Sequence, residues 1–541
     1  MRKSRTEIRS CNFLYKEIIE KHIIENVAKR KDVRKIIIIG SGISGLTAGI
    51  YGQKSGYETE IYEKNPVAGG LCASWVRDGM PIDGCIHWMT GTKKGTEIRG
   101  MWDDLHAFKD EDLIRSDNFG TVEYEGQKIT FWCDLNKLRD ELLAISPEDK
   151  KMIKRTIYMI YKIQNMPLPT DIPLSEMSVW RKLKFVLSVF PYLKMYALTR
   201  KNSREDFANK FKHPAIRYAF SKIVPGDGNM YSTLYAYGTV ALGNGGVLKG
   251  GSASLIKNLV DMYEDRGGII HYNSGVQKIL IENGEATGIV LKNGEVKKVD
   301  YIISACDVNH TFDLLENKYH IKAFQKRFEK PEYYPTPSCV YISYKIDYET
   351  YKNLGISPIF QFNTIPFSVG KREESSISIR TYSYDENFIK DGCVLATTLI
   401  HQSNEDFIYW SEAFENRKDY TDEKNRIANE VVERIVARFP KLEGKIKVID
   451  VCTPLTYQRY TNSYCGSYMP FAYTSKGSIY YSKGKIKGVK CLMLAGQWMV
   501  LPGGIPIAMM SGKFAIQRIL KENHRWYKIS RPMRFKFLKK K

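Results

Sequence analysis

Three glycines, Gly40, Gly42 and Gly45, break an isoleucine run in the stretch IIIIGSGISG, with Ser41, Ile43 and Ser44 between them. In such a G-x-G-x-x-G turn the first glycine permits the tight turn after a strand. The second lets the backbone approach a pyrophosphate, and the third lets a helix pack closely on the sheet. The helix that starts there offers free N–H groups and the positive end of its dipole to the phosphates. Glu63 stands 18 residues beyond Gly45, at the end of the next apolar run, where a carboxylate accepts both hydroxyls of a ribose. The chemistry so marked is dinucleotide binding. An acid at this place argues against a 2′-phosphate and leaves FAD and NAD both open.

The elements that must position these residues read directly from the flanking sequence. KIIIIG, ISGLTAGIYGQKSG and YETEIYEK predict strand, helix and strand over residues 35–64, one half of a βαβ unit. Residues 65–135 are glycine-rich with short strands, and 136–245 are mostly helical. A helix starting near Ser252 ends at Gly267 and Gly268, and strands follow at about 269–282, 286–292 and 299–305. Residues 321–475 alternate like an antiparallel sheet with a helix near 423–439, and KCLMLAG leads into a last helix rich in small residues. The order implies an α/β nucleotide domain built from 35–135, 246–320 and 476–524, interrupted by a helical region, 136–245, and an α+β sheet region, 321–475. A basic extension, 1–34, reads as an amphipathic helix and linker, and a basic-aromatic tail covers 525–541.

The continuation EKNPVAGGLCASWVRDGMPIDGCIHWMTG separates the two cofactors. It resembles the FAD-dependent amine-oxidase-like superfamily, and within it the branch of bacterial-type phytoene desaturases, carotenoid isomerases and retinol saturases. That branch carries an acid, a double glycine and then D-x-G-x-H, matched here by Glu63 followed by Lys64, by Gly69 and Gly70 followed by Leu71, and by Asp83 and His87. Cys85 stands where the branch has the middle glycine. The segments GGVLKGGSASLIKNLVDMYEDRGG, TPLTYQRYTNSYCGSY and LMLAGQWMVLPGGIPIAMMSGKFA are similar too, with Gly496 and Gln497 in place of the commoner Gly-Glu or Gly-Asp. The resemblance spans roughly 35–520. It implies a Rossmann-like domain holding extended FAD, with Val276 placing its backbone against the adenine. It also implies a helix opening at Gly504 and Ile505 that points its positive end at the flavin.

His87 would then lie beside the flavin, as a proton donor titrating near neutrality or as a packing residue. Cys72 and Cys85 read as small buried thiols, a flavin-linking or redox role being the alternative. Arg459 and Tyr460 line the substrate domain or a surface strand. No metal-ligating set is apparent. ALGNGGVLKGGSAS lacks the strand and the acid of a second nucleotide fingerprint, so an external electron donor or acceptor is expected.

Composition bounds the rest. The 541 residues are 43% hydrophobic and 26% charged, which is globular and long enough for two or three domains. Ten cysteines are scattered singly with no C-x-x-C pair, which suits a reducing cytoplasm, and no secretory signal is read at the N-terminus. The net charge of +22 gathers at the ends: residues 1–35 hold 11 Lys/Arg against 5 Asp/Glu, and 525–541 hold 8 basic residues and no acid. Basic residues beside aromatics suit an anionic membrane surface, each contributing about 1 kcal/mol, although a solvated tail would look the same. No motif for nucleic acid accompanies the charge. WRKLKFVLSVFPYLKMYALTRK, 180–201, joins bulky apolar residues to basic margins and reads as a lipid entry or as a core helix.

The expected protein is a cytoplasmic FAD oxidoreductase, peripheral at the inner membrane surface, acting on a hydrophobic small molecule. Hydride transfer between flavin N5 and a C–C unit of a long unsaturated lipid, such as a carotenoid, retinoid or other isoprenoid, would desaturate, saturate or isomerise it. Two rivals share the fold: an amine or amino-acid oxidase, and a non-redox flavin-dependent fatty-acid isomerase or hydratase. Richness in Lys, Ile and Tyr hints at an AT-rich bacterium.

Overall fold

Residues 36–39 are four β-branched isoleucines in a row, all buried, the pattern of a strand covered on both faces. In the computed structural model, which describes residues 34–224, 226 and 228–523, this run is the central strand of a parallel sheet. We label it β1 (Lys35–Ile39), followed by α1 (Ile43–Lys54) and β2 (Glu58–Tyr62); later come α2 (Gly251–Glu264), β3 (Ile269–His271), β4 (Tyr301–Ser304), β5 (Leu492–Leu494) and α3 (Ile505–Glu522). The strand order is β3-β2-β1-β4-β5, with Ile38 opposite Ile61 on one side and Ile303 on the other. Three distant stretches of chain therefore meet in one sheet. Small residues bring its helices close: a Cβ on Gly49 of α1 would lie 2.5 Å from the Tyr263 ring of α2, and one on Gly512 of α3 would lie 2.4 Å from the Ser44 carbonyl of α1.

The second layer is an eight-stranded mixed sheet. Ser338–Asp347, Ile359–Val369, Arg372–Thr381 and Cys393–Gln402 form its centre, and the helix Arg417–Arg438 packs on it through Ile427, Val431 and Ile435. One boundary expected from sequence order shifts here. The hairpin Asn118–Tyr124 and Gln127–Trp132, inside 35–135, extends this sheet by pairing in parallel with Ile359–Val369. The reason is burial: Val122, Ile129 and Phe131 face the helices Lys150–Gln164, Pro214–Lys222 and Met230–Ala241 and share one core with them. The expected N-terminal helix and the basic-aromatic tail lie outside the described residues. Among the described residues, no helix is long and apolar enough to cross a membrane.

Candidate functional site

At the carboxyl ends of β1, β2 and β4 the chain opens into a cavity of about 650 Å³. The glycine turn forms its floor. Gly40 takes φ +98°, a conformation that suits glycine, and a Cβ on Gly45 would fall 1.9 Å from the Gly40 carbonyl oxygen. The third glycine is thus required by the first. Gly40, Gly42, Ile43 and Ser44 line the cavity, whereas Ser41 and Gly45 serve it from behind. Ser41 is buried, and its N–H and hydroxyl both donate to Glu63 Oε2, at 2.9 and 2.7 Å. Asn65 donates to the other oxygen from its N–H and its side-chain amide, each at 2.9 Å. Glu63 is therefore held in place through both of its oxygens. Asn65 went unnoticed in the sequence, although an amide two residues past an acid is a common local partner.

Two helix N-termini open on the same cavity. The N-cap of α1 is Gly42 and that of α3 is Gly504; neither has a side-chain cap, and neither helix has an acid in its first turn. Their leading N–H groups are left for a ligand, with both positive dipole ends facing in. Gly504 and Ile505 line the wall, and Gln497 accepts the Gly504 N–H at 3.2 Å while its own amide donates to the Tyr468 carbonyl. Gly496 (φ +128°), Gly69 (φ +126°), Gly70 (φ +58°) and Leu71 complete this part of the lining. At the β2 end lie Lys64, Val276, Lys292 and His310. Lys64 donates to the Arg459 carbonyl and to Asn462, and burial, with Lys292 nearby, pulls its pKa down. Arg459 and Tyr460 accordingly sit at the β2 end of the cavity. Both lend backbone carbonyls, to Lys64 and Asn65, from the helix Pro454–Thr461.

The motif around His87 is built on Asp83. Its carboxylate accepts the N–H groups of Cys85 and Ile86, at 2.9 and 3.2 Å, and the N–H and hydroxyl of Ser252 in the first turn of α2. This clamp fixes the turn that carries His87 to the cavity. Desolvation, and secondarily the Arg380 guanidinium, push the His87 pKa down to about 3. The ring is therefore neutral at pH 7, unlike the near-neutral titration expected of an isolated histidine. Arg380, from the large sheet, was not picked out in the sequence because nothing near it marks a site.

Residues 43–520 match the family of flavin-containing amine oxidoreductases. The chain belongs to that family. Prolycopene isomerase of Daucus carota is 25% identical over 84% of this chain and 75% of its own. Phytoene desaturase (neurosporene-forming) of Rhodobacter capsulatus is 22% identical over 90% and 94%. Among solved structures, an oxidoreductase from Methanosarcina mazei superposes with a TM-score of 0.56 and 17% identity, covering 90% of this chain and all of that one. This flavin-containing amine oxidoreductase is thus an FAD-dependent enzyme with an α/β fold, and the site fits FAD. Uncapped helix starts suit its diphosphate and the polar edge of its ring, and the restrained Glu63 suits its ribose. No nicotinamide is needed to account for the glycine turn.

Proposed function

We propose that the enzyme acts on the C–C or C=C bonds of a long unsaturated lipid of the carotenoid or other isoprenoid kind. The observation that carries this reading is the lining of the cavity beyond the nucleotide end. Met166, Leu168, Pro169, Tyr231, Tyr235, Ala236, Ile479 and Tyr481 form an apolar and aromatic wall there. Such a wall holds a chain by dispersion and excludes water, and among the described residues it carries no charged group to fix an amine or a carboxylate. Bound FAD would supply two-electron exchange with a carbon–carbon unit laid along it. The chain's own residues position the lipid and keep the surroundings dry, and His87, neutral at pH 7, adds an uncharged polar edge. The carotenoid names of the curated relatives support the same substrate class.

A lipid must also reach the cavity. Residues 166–170 lead from its wall to the helix Val179–Val189, which is anchored by Arg181 on Asp171. Val179, Trp180 and Phe190 are 80%, 75% and 69% exposed there, beside Lys182, Lys184 and Lys194. We take this surface as a peripheral contact with an anionic membrane, close to the lipid's entrance. The redox partner is taken to be external.

The test is to reduce the enzyme's flavin with light under anaerobic conditions and add a panel of unsaturated lipids and simple imines. Return of the oxidised flavin band with a lipid supports the proposal. If no lipid restores it and amines bleach the oxidised enzyme, the amine-oxidase reading replaces it.

A further inference from the structure

Two cysteines that the cofactor and lipid readings leave unused meet at the cavity wall. Cys72 ends the short turn Gly70–Cys72 that follows Gly69, and Cys85 sits in the turn between Asp83 and His87. Their sulfurs are 2.9 Å apart, closer than two thiols resting in ordinary contact, and both are free. A disulfide would bring them to about 2.05 Å, a movement of under an ångström.

Both backbones are held. Gly69 and Gly70 take positive φ, and the Cys72 N–H donates to the Gly69 carbonyl at 3.0 Å. The Cys85 N–H is one of those held by the Asp83 clamp. Both residues line the cavity, so a small molecule reaches the pair from inside. The contact with Cys72, together with burial, holds the Cys85 proton well above the ordinary thiol range.

We propose that Cys72 and Cys85 form a reversible dithiol–disulfide couple in the wall of the cofactor cavity, exchanging with small disulfides and dithiols. One cysteine of the pair loses its proton to solvent and, as the thiolate, attacks one sulfur of an external disulfide; that S–S bond breaks and one thiolate leaves and is protonated. The other cysteine then loses its proton to solvent and attacks the sulfur of the first, and the second external thiolate leaves and is protonated. Two electrons and two protons pass from the pair to the external disulfide, which becomes two thiols; a dithiol drives the reverse. Closing the bond ties the turn after the double glycine to the turn that carries His87. This inference is independent of which lipid the enzyme uses.

The experiment equilibrates the FAD-loaded enzyme anaerobically with a series of reduced-to-oxidised dithiothreitol ratios. Acid quenching, alkylation and peptide mass spectrometry then count the labels on each cysteine. The expected result is that the labels on Cys72 and Cys85 vanish together along a two-electron curve. A Cys72–Cys85 linked peptide, two hydrogens lighter, appears in step. Cys72→Ser and Cys85→Ser should each abolish the curve and leave the remaining cysteine labelled at every ratio, with FAD still bound. Full labelling of both cysteines in the wild type at every ratio overturns the proposal, as does separate loss of the two labels to dithiothreitol adducts. The wild-type measurement decides even if neither variant folds.

Discussion

Arg380 Nη2 donates to the backbone carbonyl of His87 at 2.5 Å, and among the described residues the other groups it meets, the Tyr384 hydroxyl and the Tyr382 ring, are neutral. A buried guanidinium held by neutral groups is costly. Here it stiffens the His87 turn and disfavours a second positive charge on the ring.

That arrangement makes acid stability depend on His87. Its pKa falls from an ordinary 6.5 to about 3 on folding, so between those values the unfolded chain binds more protons and stability falls as pH falls. The contribution is intact above about pH 6.5 and costs about 2 kcal/mol by pH 5. Denaturant unfolding of wild type and His87→Gln at pH 7.5 and pH 5 checks it. The variant should lose less between the two, and equal losses would contradict a depressed pKa.

Glu63→Gln should weaken FAD binding about 10- to 100-fold. The amide cannot accept from Ser41 and Asn65 at once without turning its own N–H groups toward one of them. Titration of the deflavinated protein with FAD, followed by flavin fluorescence, reads the change; affinity within a factor of two of wild type would count against the assigned ribose contact.

Gly45→Ala should cost about 3 kcal/mol and most of the bound flavin, because the new methyl would collide with the Gly40 carbonyl. Gly100→Ala is the matched control. Gly100 lies inside the helix Glu97–Asp104 with open space around its Cβ position, so alanine there should be neutral or stabilising by up to about 1 kcal/mol. Thermal unfolding and the flavin-to-protein absorbance ratio measure both.

Trp180→Ser combined with Phe190→Ser should reduce binding to anionic vesicles by more than tenfold, since each ring removed from an apolar contact forfeits about 2 kcal/mol. Flavin content should not change. Co-sedimentation with anionic and with neutral vesicles is the measurement, and unchanged binding would remove this helix from any membrane contact.

The nucleotide half of the site was legible in the sequence because its physics is local. A glycine turn after a buried strand, an acid one strand later and a double glycine beyond it are each readable within thirty residues. What stayed hidden depends on distant pairing. Arg380 reaches His87 across 293 residues of sequence, and Arg459 and Tyr460 matter through carbonyls that any residue could supply. The hairpin near residue 120 carries an ordinary strand alternation that names no partner; only the core beneath it decides which sheet it joins.

The two uncapped helices that face the cavity begin at residues 43 and 505, and among the described residues the strand β5 that seats the second one pairs only with β4. A chain emerging from the ribosome therefore displays its glycine fingerprint long before α3 and owns only half of a cradle until α3 is free. Loading of the flavin consequently waits on the emergence of α3. During synthesis, the open edge of the parallel sheet beside β4 and the bare apolar wall of the cavity are the surfaces most open to mispairing.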